Sequence, residues 1–390
     1  MNHRSAPTPL PAKADLVVVG AGAVGLGHAV EAHARGLSVL VVDAAERPDG
    51  ATARRGGHVA VTTQDSTALA CALAARERWL KLGRDAGFGV HETGAVVVAR
   101  HADELAVLDD LVAARAGDAV LLDARNVADR TAVPDAVGGA FLPLDLRVHP
   151  ASALTAIADW LGSRPQARVA WRTAAQTFDA GSGCTLVRTT RGEVVAKKVV
   201  VAVGHTVGRL FDDVGAQLVR VDRQMLRVAA PRPDDVGADL RLGSGPVVVG
   251  PSTVLRDAAY RHSRALGQVR ERLRATRPDL LAADVHLTLV AQPDGSVIVG
   301  DGRAPAPGPG RAETVDEGLL AEARELLGVE RLTVLGRWTA PEVVRVPGPD
   351  AGSPFLVREP LPGVRTVTVA DGLATTTALG LAPRVLDELL

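Results

Sequence analysis

The chain has 390 residues, 44 lysines and arginines against 45 aspartates and glutamates, and a formal net charge of −1. Charges of both signs are interspersed, which removes the electrostatic case for nucleic acid or an anionic membrane surface as partner. No apolar run reaches the roughly 20 residues that span a bilayer, and Cys71 and Cys184 stand in no C-x-x-C context, so neither a disulfide framework nor a metal site is expected.

The length suffices for two domains around a substantial core. Residues 1–14 are polar and proline-rich and read as a disordered leader. Leu16-Val17-Val18-Val19 is an all-apolar run, as expected of a parallel strand buried on both faces. Gly20, Gly22 and Gly25 follow at G-x-G-x-x-G spacing: the first allows a tight turn, the second a close approach of backbone to pyrophosphate, the third tight packing of the next helix. That helix ends near Gly36, and Val39 to Val42 form a second buried strand ending on Asp43 and Ala44, where the acid can hold a ribose hydroxyl pair. An adenine dinucleotide is the reading. An acid rather than a base at Asp43 favours FAD or NAD over NADP.

Next comes Ala51-Thr-Ala-Arg54-Arg55-Gly56-Gly57-His58, a loop suited to backbone passing close to a flat ligand. Helices are expected over 66–82, 103–114, 151–161, 264–277 and 315–327, the fourth strongly basic and read as a solvated face. Strands are expected over 92–100, 119–123, 169–171, 185–189, 194–203 and 365–370, with a hairpin of 285–290 and 296–299 around Gln292-Pro-Asp-Gly295. The stretch 125–130 reads as a turn, 141–150 as a crossover, 231–251 as a run of chain reversals and 304–310 as a loop or hinge.

The order of these features resembles the D-amino-acid oxidase/glycine oxidase superfamily of FAD-dependent oxidoreductases. The resemblance rests on the opening dinucleotide unit, the Gly-Gly loop, Thr190-Arg-Gly-Glu-Val-Val-Ala-Lys-Lys-Val-Val-Val-Ala-Val-Gly204, and the C-terminal Asp371-Gly372 leading into Thr377-Ala-Leu-Gly380. It implies an α/β protein: a Rossmann-like FAD-binding domain (15–88, 145–215, 329–390) and a discontinuous α+β substrate domain on an antiparallel sheet (89–144, 216–328). Gln224-Met-Leu-Arg227, the 285–301 stretch, Leu335-Gly-Arg-Trp338 and Ala378-Leu-Gly-Leu-Ala382 are similar to a subfamily associated with aminophosphonate catabolism. Three departures fall beside the flavin or substrate: Arg54-Arg55-Gly56-Gly57, Gly372-Leu-Ala-Thr-Thr-Thr377, and Gly302-Arg303 after Asp301.

The activity so implied is oxidation of a small primary or secondary amine, amino acid or aminophosphonate-like, by hydride transfer to flavin N5, with imine hydrolysis to a carbonyl product. FAD would be non-covalent, the electron acceptor O2 or another species, and a homo-oligomer stays open. A cytoplasmic enzyme is the default. An anionic substrate tail calls for arginine forks. The candidates are Arg55, Arg227, Arg256 and Arg337, with Arg256 and Arg337 preferred and a surface ion pair the alternative for each. His58 would face the flavin ring, though a structural histidine is the favoured alternative for it and for His205. Tyr260 would cap the substrate or serve packing. Gly204, Gly372, Thr375, Thr376 and Thr377 join Arg54, Gly56 and Gly57 as expected cofactor contacts, the threonines at a helix N-terminus that stabilises reduced flavin. Competing readings are an NAD-dependent dehydrogenase and a non-catalytic FAD-binding subunit.

Overall fold

A computed structural model of the chain describes residues 9–131, 133–231, 245–304, 311–348 and 352–390. The strands Ala167–Ala170, Val39–Val42, Lys13–Val19, Gly192–Val201 and Val364–Val369 lie side by side in that order, all parallel. Phe355–Leu361 closes the edge antiparallel to the last of them, and Ala175–Ala180 and Thr185–Thr189 form an antiparallel pair beside the first half of Gly192–Val201. Because side chains alternate across a strand, Leu16 and Val18 point to one core and Val17 and Val19 to another. Burial on both faces is why 16–19 shows no polar alternation. The Leu16 side is covered by the helices Ala23–Ala34, Ser66–Ala86, Pro150–Gly162 and Ala374–Leu389.

The second sheet runs Val334–Arg345, Leu218–Ala229, Ser296–Gly302, Thr288–Ala291, Val247–Val249, Ala95–Ala99, Gly138–Leu142, Val120–Asp123. It is antiparallel except where Val247–Val249 runs parallel to Ala95–Ala99. The helix Glu313–Leu327 packs Val315, Leu319 and Ala323 onto Leu226, Val228, Val297 and Val299. The opposite face carries a separate small apolar group, Met225, Ile298 and Ala340 with Trp338.

Four differences from the sequence reading stand out. The strand Val334–Arg345 pairs with Leu218–Ala229 almost throughout, so the segment expected to return to the dinucleotide unit at 329 belongs to the second sheet through Arg345. The expected turn at 125–130 is the helix Ala124–Thr131, entered where Asp123 Oδ1 accepts from Asn126 N at 2.7 Å and anchored by Val127 and Thr131 one turn apart. Lys13 and Ala14, assigned to the leader, pair with Val195 and Ala196, while residues 1–8 lie outside the described residues. Strands at 175–180, 218–229 and 355–361 went unread. The reversals expected at 231–251 and the loop at 304–310 fall largely outside the described residues. No described helix is long and apolar enough to cross a membrane, no described cluster of metal-ligating residues exists, and Cys71 and Cys184 are free.

A cavity of about 240 Å3 is walled by Arg100, Glu104, Ser252, Arg272, Arg277 and Glu322. Glu322 is buried, neither carboxylate oxygen makes a hydrogen bond of good geometry among the described residues, and burial pushes its pKa up to about 7 against the pull of nearby Ser252. A carboxyl whose folded pKa exceeds its unfolded value lowers stability as pH rises from about 4.5 to 7. Glu322→Gln is therefore expected to melt higher than the parent at pH 8, by about 1–3 kcal/mol, and alike near pH 4. Thermal melts at both pH values check this; equal melting at pH 8 refutes it.

Candidate functional site

A cavity of about 670 Å3, within the size of a bound cofactor, is framed by both sheets. At one end the three glycines do different work. Gly20 has φ +104°, and a Cβ there would strike the Ala202 carbonyl. A Cβ on Gly25 would run into the Gly20 carbonyl oxygen, so the helix sits this close to the strand only as glycine. Gly22, the N-cap of Ala23–Ala34, is extended (φ −78°, ψ −178°), and a Cβ there would meet nothing within 4 Å. Gly22 lines the cavity, where the first-turn N–H groups and the positive helix end would suit a diphosphate. Asp43 Oδ2 accepts from Ala21 N at 2.7 Å and Oδ1 from Ala45 N at 2.8 Å, so this acid also shapes the glycine loop. Ala44 lines the cavity beside it, as do Thr173, Ala175 and Gln176, which the sequence reading missed.

The second stretch is formed by Gly204, His205, Thr206 and Arg209, with Gly204 at φ +56°. Burial, then Arg220, lowers the His205 pKa, which keeps its ring neutral at neutral pH. Arg209 is a further basic residue on the wall that sequence alone did not single out.

The far end brings Thr52, Ala53 and Arg55 against Glu342, Gly372 and Thr375. Gly372 has φ +72°, and a Cβ there would lie 2.8 Å from Arg55 Nη2 and 2.9 Å from Glu342 Oε2. The positive φ favours glycine there, and a side chain would have to push aside the Arg55 and Glu342 side-chain ends. The C-terminal helix starts here at Ala374, its N-terminus toward the cavity. Of the three threonines only Thr375 lines the cavity. Thr376 Oγ1 accepts from Ala60 N at 3.2 Å, and Thr377 Oγ1 donates to Leu373 O at 2.8 Å, so those two hydroxyls hold the helix in place.

Other expected contacts also turn away. Arg54 pairs with Asp49 at 3.0 Å and its carbonyl accepts from Trp338 Nε1 at 2.9 Å. Gly57, at φ +98°, packs on the Val148 carbonyl, and Gly56 lies against Val290 of the second sheet. His58 Nε2 is 2.8 Å from Asp145 Oδ2. Asp145 is fully buried and its Oδ1 accepts from Val61 N, Thr62 N and Thr62 Oγ1, so His58 helps to fasten a loop. Tyr260 is buried, its hydroxyl without a partner and its pKa raised well above the usual value by burial. It belongs to the core around Val97 and Leu108 and is absent from the cavity wall.

The arginines are the larger correction. Arg55 reaches Asp301 at 2.5 Å and also bonds Glu342. Arg256 bonds Asp301 at 2.9 Å and Glu342 at 3.4 Å, while Arg223 bonds Glu342 at 2.9 Å and Asp284 at 2.8 Å. Burial alone would raise the Asp301 pKa; Arg256, Arg223 and Arg55 outweigh it and hold the carboxyl well below its usual range. The same pairing raises Arg256 despite its burial. Arg337 alternates away from Trp338 on its strand and sits 3.2 Å from Asp316 of the helix on the opposite face, so it is no part of this site. Arg227 pairs with Asp294 and Ser296. None of the four candidates presents an unpaired fork. Asp301, Glu342 and Arg223 escaped the sequence reading because their partners lie far apart in the chain.

Comparison with known proteins agrees with this geometry. The family described as FAD dependent oxidoreductase (DAO) matches residues 15–386. The bifunctional tRNA 5-methylaminomethyl-2-thiouridine biosynthesis protein MnmC of Ralstonia nicotianae is 32% identical over 206 residues, which cover 49% of this chain and 30% of that protein. The match thus spans less than a third of that relative's length. Among solved structures, L-proline dehydrogenase from P. horikoshii superposes with a TM-score of 0.75 at 16% identity, covering 97% of this chain and 93% of that one. Glycine oxidase from Geobacillus kaustophilus gives 0.72 at 16% identity, covering 97% and 95%. At such identity these two show a shared fold. The family match removes the NAD-dependent alternative, and the open side of Gly22, the Asp43 loop and the cavity's reach to Gly372 fit FAD. The chain is a member of the DAO family of FAD-dependent oxidoreductases.

Proposed function

We propose that this protein oxidises a small primary or secondary amine, taking a hydride from the carbon bearing nitrogen and releasing an imine that hydrolyses to a carbonyl. The observation that carries the reading is the cavity itself. It runs from the Gly22 turn to a wall where Arg55, Glu342 and the start of the C-terminal helix meet the second sheet. When bound, FAD supplies the hydride-accepting ring. The chain's part is to hold it by backbone N–H groups and a helix end and to place positive helix dipole where negative charge develops. A tail-binding arginine is not part of this reading, since Arg256 and Arg337 already have carboxylate partners.

The test is anaerobic flavin reduction by a panel of primary and N-methyl amines, amino acids and 2-hydroxy acids. Bleaching by amines and not by hydroxy acids is the expected result; bleaching by hydroxy acids alone overturns it. Peroxide formation in air separates an oxidase from a dehydrogenase. Acid precipitation of the yellow protein is expected to leave FAD in the supernatant, because His58 is committed to Asp145. Flavin retained on the denatured chain would contradict non-covalent binding.

A further inference from the structure

We propose that the substrate's far end carries no anion: the site is built to take amines with an uncharged tail and to disfavour carboxylates and phosphonates. This rests on the amine-oxidation reading and narrows it.

The charges at the second-sheet end of the cavity are already matched. Arg55, Arg223 and Arg256 share Asp301 and Glu342, both buried, through ion pairs on each guanidinium. Further acids crowd the same spot. Asp284 pairs with Arg223, and Asp257, 3.4 Å from His286, adds to the field on Arg256. Asp371, next to Gly372, makes no ion pair among the described residues. Its pKa is raised by burial and by Glu342, against the pull of Arg256, Arg223 and Arg261. With Arg261 counted, and with Arg303 3.5 Å from Asp284, the five acids Asp257, Asp284, Asp301, Glu342 and Asp371 are matched by five arginines, and no guanidinium is left over for an incoming anion.

An incoming carboxylate has two options here. It can displace Asp301 or Glu342 from a desolvated pair, exposing a buried charge with no partner. Otherwise it must settle beside Glu342 and Asp371, where like charges repel. Either route penalises it relative to an isosteric amide. An uncharged tail meets neither penalty.

The experiment compares isosteric pairs on the FAD-loaded protein. Acetamide against acetate and methylphosphonate is followed by titration calorimetry and by perturbation of the flavin absorbance. Glycinamide against glycine, and alaninol against alanine, are followed by anaerobic flavin reduction. The uncharged member of each pair is expected to bind or react at least tenfold better. Glu342→Gln, which frees guanidinium charge while keeping an acceptor, is expected to shift the acetate-to-acetamide ratio toward acetate by tenfold or more. A wild-type ratio at or below one, or no measurable difference between members of a pair, overturns the proposal. If no amine reduces the flavin while acetamide still binds in preference to acetate, the amine reading falls and the charge selectivity stands. If amines reduce the flavin and glycine outperforms glycinamide, only the present inference falls.

Discussion

Replacing Gly22 by valine is expected to leave a folded protein that no longer holds FAD. The backbone at Gly22 is extended, a conformation valine adopts readily, and a Cβ there meets nothing within 4 Å. The folding cost is therefore small, about 1 kcal/mol or less, as for a change of residue at a helix N-cap. The space the side chain fills is the cavity beside the first-turn N–H groups. Denying a diphosphate two charge-assisted hydrogen bonds, at about 1.5–3 kcal/mol each, weakens binding by roughly 10²–10⁴-fold. Gly25 is the control: a Cβ there runs into the Gly20 carbonyl, so Gly25→Val should lose fold and cofactor together. Fluorescence titration of apoprotein with FAD, beside far-UV circular dichroism, separates the two. A folded Gly22→Val protein with near-native FAD affinity would show that the diphosphate lies elsewhere.

The contrast between these glycines shows what sequence can carry. The 15–43 unit is legible because its determinants are local: an apolar strand, three glycines at fixed spacing and an acid one strand later. Gly372 and Gly204 were legible for the same reason, each ending a buried strand. The charged wall was not. Arg55, Arg223, Asp301 and Glu342 are drawn together from four separate segments, and nothing in their local sequence reports the pairing. Arg337 misled because residue type was read without strand direction. Trp338 next to it packs on Met225, Ile298 and Ala340, and alternation sends Arg337 to Asp316. Thr376 and Thr377 misled because a helix N-terminus offers hydroxyls two uses, and here the fold takes both. The strand Val334–Arg345 was missed for its mixed composition, with Pro341 and Glu342 inside it, a pattern that only a partner strand and buried arginines make stable.

The charged wall should also dominate the protein's response to mutation and acid. Asp301→Asn keeps shape but removes the anion bonded to Arg55 and Arg256, leaving the three guanidiniums to share Glu342, with Asp284 held by Arg223. Breaking a buried pair from one side costs about 3–5 kcal/mol, because the remaining charge cannot recover its hydration. At roughly 2 °C or more per kcal/mol for a chain of this size, the melting temperature should fall by about 6 °C or more. The pH dependence identifies the cause. The Asp301 carboxyl is held below its unfolded value by Arg256, Arg223 and Arg55. A depressed carboxylate adds stability above its unfolded pKa, about 3.9, and loses it progressively as pH falls further. The gap between wild type and Asp301→Asn should thus be full at pH 7 and narrow below about pH 4, where the unfolded wild-type chain takes up a proton that the folded carboxyl still refuses. Thermal melts of the two proteins across this range decide the matter. A gap that is small at pH 7, or that stays constant into acid, would mean that the ion pairs around Asp301 do not hold the second sheet to the Arg55 loop.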